Sequence, residues 1–326
     1  MQLHAVRLCA ILPRTARKSL SQNSKFSIAR FTAGRPHARC ALRCRAPWDV
    51  RLDGLIRFAC CVVMRRGRQK KVVPVTKPGL SEGTLHEQLT DENKSAFARY
   101  QDLALGSNSI WYLLKFELIM LFVSWVPGAL GLVLRKFFYP FILGSVGSNV
   151  VFGQGVVIRH GLKMTIGDNV IVDDGAVLDA KGGSNSGIVI GPNTIISRNV
   201  VLSCKNGDIS IGSECTVGIS TLVHAMEGSD VVIGNQVLIG AFCYFIGSGP
   251  YASDDLEVPF KKQGMLPQGG IEVADNVWFG SNVQIFDGVT IGTGSIVGAS
   301  TVVNKSIDDY AVVAGIPMKQ LKSRKD

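Results

Sequence analysis

From residue 146 onward an aliphatic residue recurs at every sixth position and is commonly followed by glycine. The run reads VGSNVV, FGQGVV, IGDNVI, VDDGAV, IGPNTI, ISRNVV, IGSECT, VGISTL, IGNQVL, IGAFCY, VADNVW, FGSNVQ, IFDGVT, IGTGSI and VGASTV. The fifth place of each hexad is small or β-branched, from Val150, Val156 and Val170 through Cys215 and Thr221 to Ser295 and Thr301. An amphipathic helix needs a period near 3.6 and does not fit. A fixed period of six with Gly and Asn at the bends predicts a parallel β-helix, three hexads to a triangular coil. Positions one and five then face inward. About seven coils are expected, starting near Val146, Ile166, Ile190, Ile211, Ile233, Val273 and Ile291. The intervals between starts are 20, 24, 21, 22, 40 and 18 residues, and the surplus over 18 always enters at the third side. All insertions should therefore leave along one edge, the longest as an excursion loop across 247–270.

Upstream the pattern changes. Residues 82–105 read as a polar helix. Residues 118–134 are an uncharged run of 17, flanked by Lys115 and Glu117 on one side and by Arg135 and Lys136 on the other. That length is marginal for a spanning helix, and Pro127-Gly128 interrupts it. Two short helices bent at Pro127 are expected. They serve either as an interfacial or re-entrant membrane anchor, with Trp111, Tyr112 and Trp125 at the interface, or as a buried cap on the open end of the coils. The organisation predicted is a basic segment over 1–71, a hydrophobic helical region over 82–145, the β-helix over 146–308, and a cap and tail over 309–326.

Charge divides the chain. Of 35 basic and 25 acidic residues, 17 and 2 fall in 1–71, a net of +15; the remaining 18 and 23 give the body −5. A nucleic-acid partner for the folded part is excluded on that distribution. Residues 1–48 hold no Asp or Glu and are rich in Arg, a transit-like composition pointing to an organelle. Met64, before Arg65, Arg66 and Arg68, offers an alternative start that would remove the segment altogether. Either way 1–71 is expected to stay unstructured. Cys9, Cys40, Cys44, Cys60 and Cys61 lie there in no zinc-like pairing with histidines. Cys215 and Cys243, at inward fifth positions, read as core, Cys204 is unpaired, and no disulfide framework is implied.

The stretches IEVADNVWFGSNVQIFDGVTIGTGSIVGASTVVNKSI at 271–307 and DYAVVAGIPMKQLK at 309–322 resemble the hexapeptide-repeat acyltransferases, in particular their sugar O-acetyltransferase branch. The similarity covers roughly 146–322, and NVWFGSN and VVAGIP are its specific elements. It implies a left-handed β-helix, a homotrimer, and acetyl-CoA as donor in the groove between neighbouring subunits. Trp278, Gly280 and Ser281 match the coil along which pantetheine runs. Gly298, Ala299 and Ser300 match the turn whose backbone bonds the pantetheine amides. Lys305 and Lys319 match basic residues that would meet CoA phosphates.

The resemblance also implies a catalytic histidine in the excursion loop, and there the chain departs. Counting back from Val258-Pro259 puts Tyr251 at that place. Acyl transfer to a hydroxyl needs a base with a pKa near neutrality, and a phenol at about 10 is far from it. His224 is an alternative base: it follows Val223 on the third side, so it should face outward, one coil before the root of the loop at Ile246. Asp254 and Glu257 in the loop are further candidates as base or orienter. His160, in the first coil, reads as structural. A zinc site of three histidines is not available, because His160 and His224 are 64 residues apart and no third histidine lies in the coils. The expected activity is acetyl-CoA-dependent O-acetylation of a saccharide or lipid-linked saccharide precursor, in the cytoplasm and peripheral to a membrane, or in an organelle if 1–63 is a transit segment. N-acylation of an amino sugar stays open, as does a CoA-binding scaffold without turnover.

Overall fold

The computed structural model describes residues 94–326. The basic segment, its five cysteines, Met64 and the first part of the expected polar helix lie outside the described residues. Short strands wind into three parallel sheets, one per side of a prism. Side 1 runs from Ser145–Val146 to Val289–Ile291, side 3 from Val157–Arg159 to Val302–Val303. Side 2 runs from Val151–Phe152 to Ile296–Val297, continues with Ala311–Ala314, and ends on an antiparallel strand, Lys319–Ser323. Seven coils are complete and a partial eighth closes the far end. The first positions of successive coils are register partners: Val146, Ile166, Ile190, Ile211, Ile233, Val273 and Ile291 form one ladder.

The hexad explains the winding residue by residue. The fifth positions are buried without exception, hydroxyls and thiols included. Polar residues there commonly donate to the next coil, Thr194 Oγ1 to the Gly212 carbonyl at 2.9 Å and Cys215 Sγ to the Gly234 carbonyl at 3.1 Å. Thr301 Oγ1 donates instead to the Gly298 carbonyl of its own coil. The fourth position turns each corner in the left-handed region, at φ 55–58° for Asn149, Asn169, Asn193 and Asn276. Asn tolerates that conformation better than other non-glycine residues. The first three also stack, Asn149 Nδ2 donating to Asn169 Oδ1 at 3.0 Å and Asn169 Nδ2 to Asn193 Oδ1 at 3.1 Å. Glycine at position two is a matter of space: a Cβ on Gly212 would lie 2.5 Å from the Gly234 carbonyl oxygen.

Before the coils lie helix α1 (Ala96–Tyr100), a π-turn at Gln101–Leu105, helix α2 (Ile110–Val123) and helix α3 (Gly128–Phe138). The chain between α2 and α3 breaks at Pro127, where the sequence predicts a bend. The inner face of α2 (Tyr112, Leu113, Phe116, Ile119, Val123) is buried and continuous with the solenoid core. Arg135 on α3 is buried as well. Its Nε donates to the Phe152 carbonyl at 2.9 Å and its Nη1 to the Val126 carbonyl at 2.7 Å, which ties the helix pair to the first coil. His160 wedges beneath the cap, Nε2 against the Asp102 carbonyl at 2.9 Å. All insertions leave the solenoid after a side-3 strand. The longest, residues 248–270, carries a short helix α4 (Phe260–Gln263).

Candidate functional site

His224 sits on the side-3 strand Leu222–Met226 between Val223 and Ala225, both fully buried, so strand alternation turns the imidazole outward. Its register partners are Ser203 in the coil before and Ile246 in the coil after. Nδ1 lies 3.1 Å from the Ser203 carbonyl oxygen. A carbonyl only accepts, so Nδ1 carries the proton and the lone pair belongs to Nε2, which has no hydrogen-bond partner among the described residues. Burial lowers the pKa of this imidazole, and the nearby Lys205 cation lowers it further. A half-buried, neutral imidazole with Nε2 free is the protonation state a general base requires at neutral pH.

The excursion loop roots beside it. Gly247, at the end of the next side-3 strand, pairs with Ala225. Asp287, which the hexad does not single out, holds the returning end of the loop. Its carboxylate accepts from Ser229 Oγ at 2.7 Å, the Gln268 amide at 2.6 Å and the Gly270 amide at 2.7 Å. Its only signal in the sequence is an acidic residue inside a hydrophobic coil. Tyr251 bridges to Met265 across the loop with 53% of its surface exposed. Asp254 and Glu257 are exposed too. Asp255 instead builds the loop, Oδ1 accepting from the Glu257 amide at 3.0 Å and the Val258 amide at 3.2 Å.

Of the residues expected to hold the donor, Trp278 and the turns at Gly280-Ser281 and Gly298-Ala299-Ser300 lie together at the corner between sides 2 and 3 in coils six and seven. Lys305 and Lys319 lie outside that corner. Trp278 projects from side 2, half exposed, between Leu238 and Ile296. The turns at Gly280-Ser281 and Gly298-Ala299-Ser300 stack directly, with the Ser300 amide donating to the Ser281 carbonyl at 2.9 Å. A Cβ on Gly280 would come 2.5 Å from the Ala299 nitrogen, so the stack demands glycine. Lys305 is exposed in the turn after the last side-3 strand, and Lys319 is exposed on the strand that closes side 2.

One chain does not bring these groups into a single site. The donor corner is where side 3 begins, whereas His224 lies two coils lower, towards the edge where side 3 ends. The buried thiols offer no rival nucleophile: burial pushes Cys204 up to about 12 and raises Cys215 and Cys243. Among the described residues no group of three or more His, Cys, Asp or Glu is placed to hold a metal ion.

No family model matches the chain. Among curated proteins it is similar to one named as an acetyltransferase in Mycobacterium tuberculosis, 30% identical over 135 residues, covering 40% of this chain and 44% of that one. A protein named as an acetyltransferase in Staphylococcus aureus is 35% identical over 122 residues, covering 32% and 61%. The chloramphenicol acetyltransferase of Agrobacterium fabrum is 34% identical over 115 residues, covering 31% and 55%. The chain thus spans about half the length of the curated relatives it matches, and the resemblance to acetyltransferases carried by the hexads is borne out at that level. Among solved structures, AntD, an N-acyltransferase from Bacillus cereus in complex with dTDP and 3-hydroxybutyryl-CoA, superposes with a TM-score of 0.42 at 21% identity, over 62% of this chain and 90% of that one.

Proposed function

We propose that the protein is an acyl-CoA-dependent acyltransferase, acetylating a hydroxyl of a saccharide or lipid-linked saccharide, with His224 as the base. The observation that carries this reading is the His224–Ser203 pair, which fixes the tautomer and leaves Nε2 open beside the root of the excursion loop. Nε2 takes the proton of the acceptor hydroxyl as its oxygen attacks the thioester carbonyl. The tetrahedral oxyanion is stabilised by backbone amides near the loop. On collapse the carbon–sulfur bond breaks, and the CoA thiolate leaves with the proton held on Nε2. The donor lies along Trp278 and the stacked turns at Gly280-Ser281 and Gly298-Ala299-Ser300, with Lys305 and Lys319 on its phosphates. Since the donor corner and His224 occupy opposite edges of side 3, the site is completed between subunits of a homotrimer. Tyr251, Asp254 and Glu257 border the acceptor.

A membrane surface belongs to the same reading. The outer faces of α2 and α3 present Trp111, Leu118, Phe122, Trp125, Leu130 and Phe137, all exposed, Trp111 to 78%. No helix among the described residues is long and apolar enough to cross a membrane. A helix pair lying in the interface fits, with tryptophans at both ends of α2 and Lys115 and Lys136 at its rim. Burying each such side chain is worth about 1.5–3 kcal/mol, so three or four embedded side chains are comparable with the hold of a single lipid anchor.

Titration calorimetry of the full chain with acetyl-CoA tests the donor half. Saturable binding, weakened about tenfold by Lys305→Ala or Trp278→Ala, is expected. A folded protein that binds no acetyl-CoA sinks the transferase reading. Binding without turnover on any saccharide leaves the scaffold reading that Tyr251 favours.

A further inference from the structure

Helix α2 is apolar on two opposite faces, and the described residues cover only one of them. Tyr112, Leu113, Phe116, Ile119 and Val123 point into the core. At about 3.6 residues per turn, the opposite face carries Leu114, Leu118, Leu121 and Phe122, with Trp111 and Trp125 at its two ends. All of these are exposed. Charge is confined to the flanks between the faces, Lys115 on one and Glu117 on the other. A helix that is apolar all round is ordinarily enclosed on every side. A contiguous exposed apolar patch of this kind marks a binding surface.

The direction of that face follows from how the helix is tied. Near its start, Tyr112 Oη donates to the Ile142 carbonyl at 2.8 Å, just before side 1 begins. Past its end, the Gly155 amide donates to the Ser124 carbonyl at 3.2 Å, and Gln154 Nε2 to the Trp125 carbonyl at 2.9 Å. Gln154 and Gly155 form the first corner between sides 2 and 3. Both ties therefore run to the first coil or to the residues that lead into it. The helix lies across the open end of the prism, parallel to the coils. Its covered face plugs the core, and its bare face looks away from the coils along the solenoid axis. Beside it, α3 turns Leu130, Val133 and Phe137 to solvent.

We propose that the protein stands end-on on an anionic bilayer, with the bare face of α2 in the interface and the solenoid axis along the membrane normal. The proposal rests on the membrane reading above and adds its geometry. Charge selects a bilayer over a second copy. Glu117 accepts from Tyr100 Oη, whereas Lys115 and Lys136 form no ion pair among the described residues. Anionic headgroups complement those lysines. An end-to-end dimer would instead gather the lysines of both copies round one seam. The posture also places the site. His224 lies three side-3 strands above Val157–Arg159 of the first coil. Three spacings of about 4.8 Å and one packing distance of about 9 Å put it roughly 20–25 Å above the axis of α2. Its imidazole then points sideways, parallel to the bilayer. An acceptor anchored in the same bilayer reaches it only through a spacer of that length, and a sugar joined directly to the lipid falls short.

Hydroxyl-radical footprinting of the full chain tests the posture, with and without phosphatidylcholine vesicles that contain phosphatidylglycerol. Flotation of the same samples reads binding itself. On vesicles, oxidation of Trp111, Phe122 and Trp125 should fall about fivefold or more, as burial of the helix face in the interface implies. Tyr244 and Phe286 on side 3 and Trp278 on side 2, all exposed, should keep the rates they have in solution. Protection of those three on vesicles means that the solenoid lies on its side, and overturns the proposal. Flotation with α2 still fully oxidised overturns it too, since the attachment is then elsewhere in the chain. Slow oxidation of α2 before vesicles are added also overturns it, because the face is already covered. Dependence of that slow rate on protein concentration tells a second copy from another segment of the chain. Absence of flotation sinks the membrane reading and the posture together. Acetyl-CoA calorimetry is indifferent to all of these outcomes and judges the transferase reading alone.

Discussion

His224 donates from Nδ1 to the carbonyl oxygen of Ser203, a residue one coil earlier and 21 positions back in the chain, across 3.1 Å. His160 has the matching arrangement with its nitrogens exchanged, Nε2 against the Asp102 carbonyl and Nδ1 buried without a partner. Burial lowers the pKa of both from the ordinary 6.5. The consequence for stability has a definite sign. In the unfolded chain each imidazole takes up a proton near 6.5, while in the fold it resists. The native state therefore binds fewer protons below that pH, and stability present above about 6.5 is lost as pH falls. Urea unfolding at descending pH should show a falling midpoint, and His160→Leu should make the fall shallower. A midpoint that holds or rises below pH 6.5 contradicts the assignment.

The buried Arg135 guanidinium is one of the polar ties between the helix pair and the coils. Beside it, Gln154 Nε2 donates to the Trp125 carbonyl at 2.9 Å and the Gly155 amide to the Ser124 carbonyl at 3.2 Å. The guanidinium serves the carbonyls at the end of α2 and after it, Val126 and Ser124, together with Phe152 of the first coil. Arg135→Met removes charge-assisted hydrogen bonds and strands buried carbonyls, so a loss of about 3 kcal/mol is expected. Thermal unfolding measures it. A change within about 0.5 kcal/mol, as for a plain surface substitution, argues that Arg135 is not what holds the cap.

Asp287 has a local role. Its three accepted hydrogen bonds join Ser229, Gln268 and Gly270 at the root of the excursion loop. In Asp287→Ala the amides of Gln268 and Gly270 should exchange hydrogen much faster, while amides of the coil ladders keep their protection. Uniform loss of protection across the solenoid would instead make Asp287 a global stabiliser.

The outer face of α2 predicts lipid binding. Flotation with vesicles containing anionic lipid should carry the full chain upward, and Phe122→Glu with Trp125→Glu should abolish flotation while leaving the coils folded. Unchanged flotation in that double variant points to another attachment, such as the basic 1–71 segment.

Coil number, coil starts, corners and the single insertion edge were legible because several of the six places in each hexad have no freedom in a stacked solenoid. Ile190 or Thr194 must face inward, and Asn193 must turn the corner. The outward placement of His224 followed from the same alternation. What the repeat does not carry is chemistry between coils. The Ser203 carbonyl and the Asp287 clamp come from register between coils with insertions of different length. Tyr251 entered through resemblance alone, at a loop position on which the period has no hold.

The account stands most directly on His224, and the pH dependence of acetyl transfer in the wild type and in His224→Gln tests it. The wild-type rate should rise through a midpoint below 6.5 to a plateau near neutrality, as the lowered pKa requires. His224→Gln should lose a factor of about 10²–10⁴ together with that rising limb, while its affinity for acetyl-CoA stays the same. A glutamine variant that retains the wild-type rate and pH profile would remove His224 from the chemistry and return the question to Tyr251 and the excursion loop.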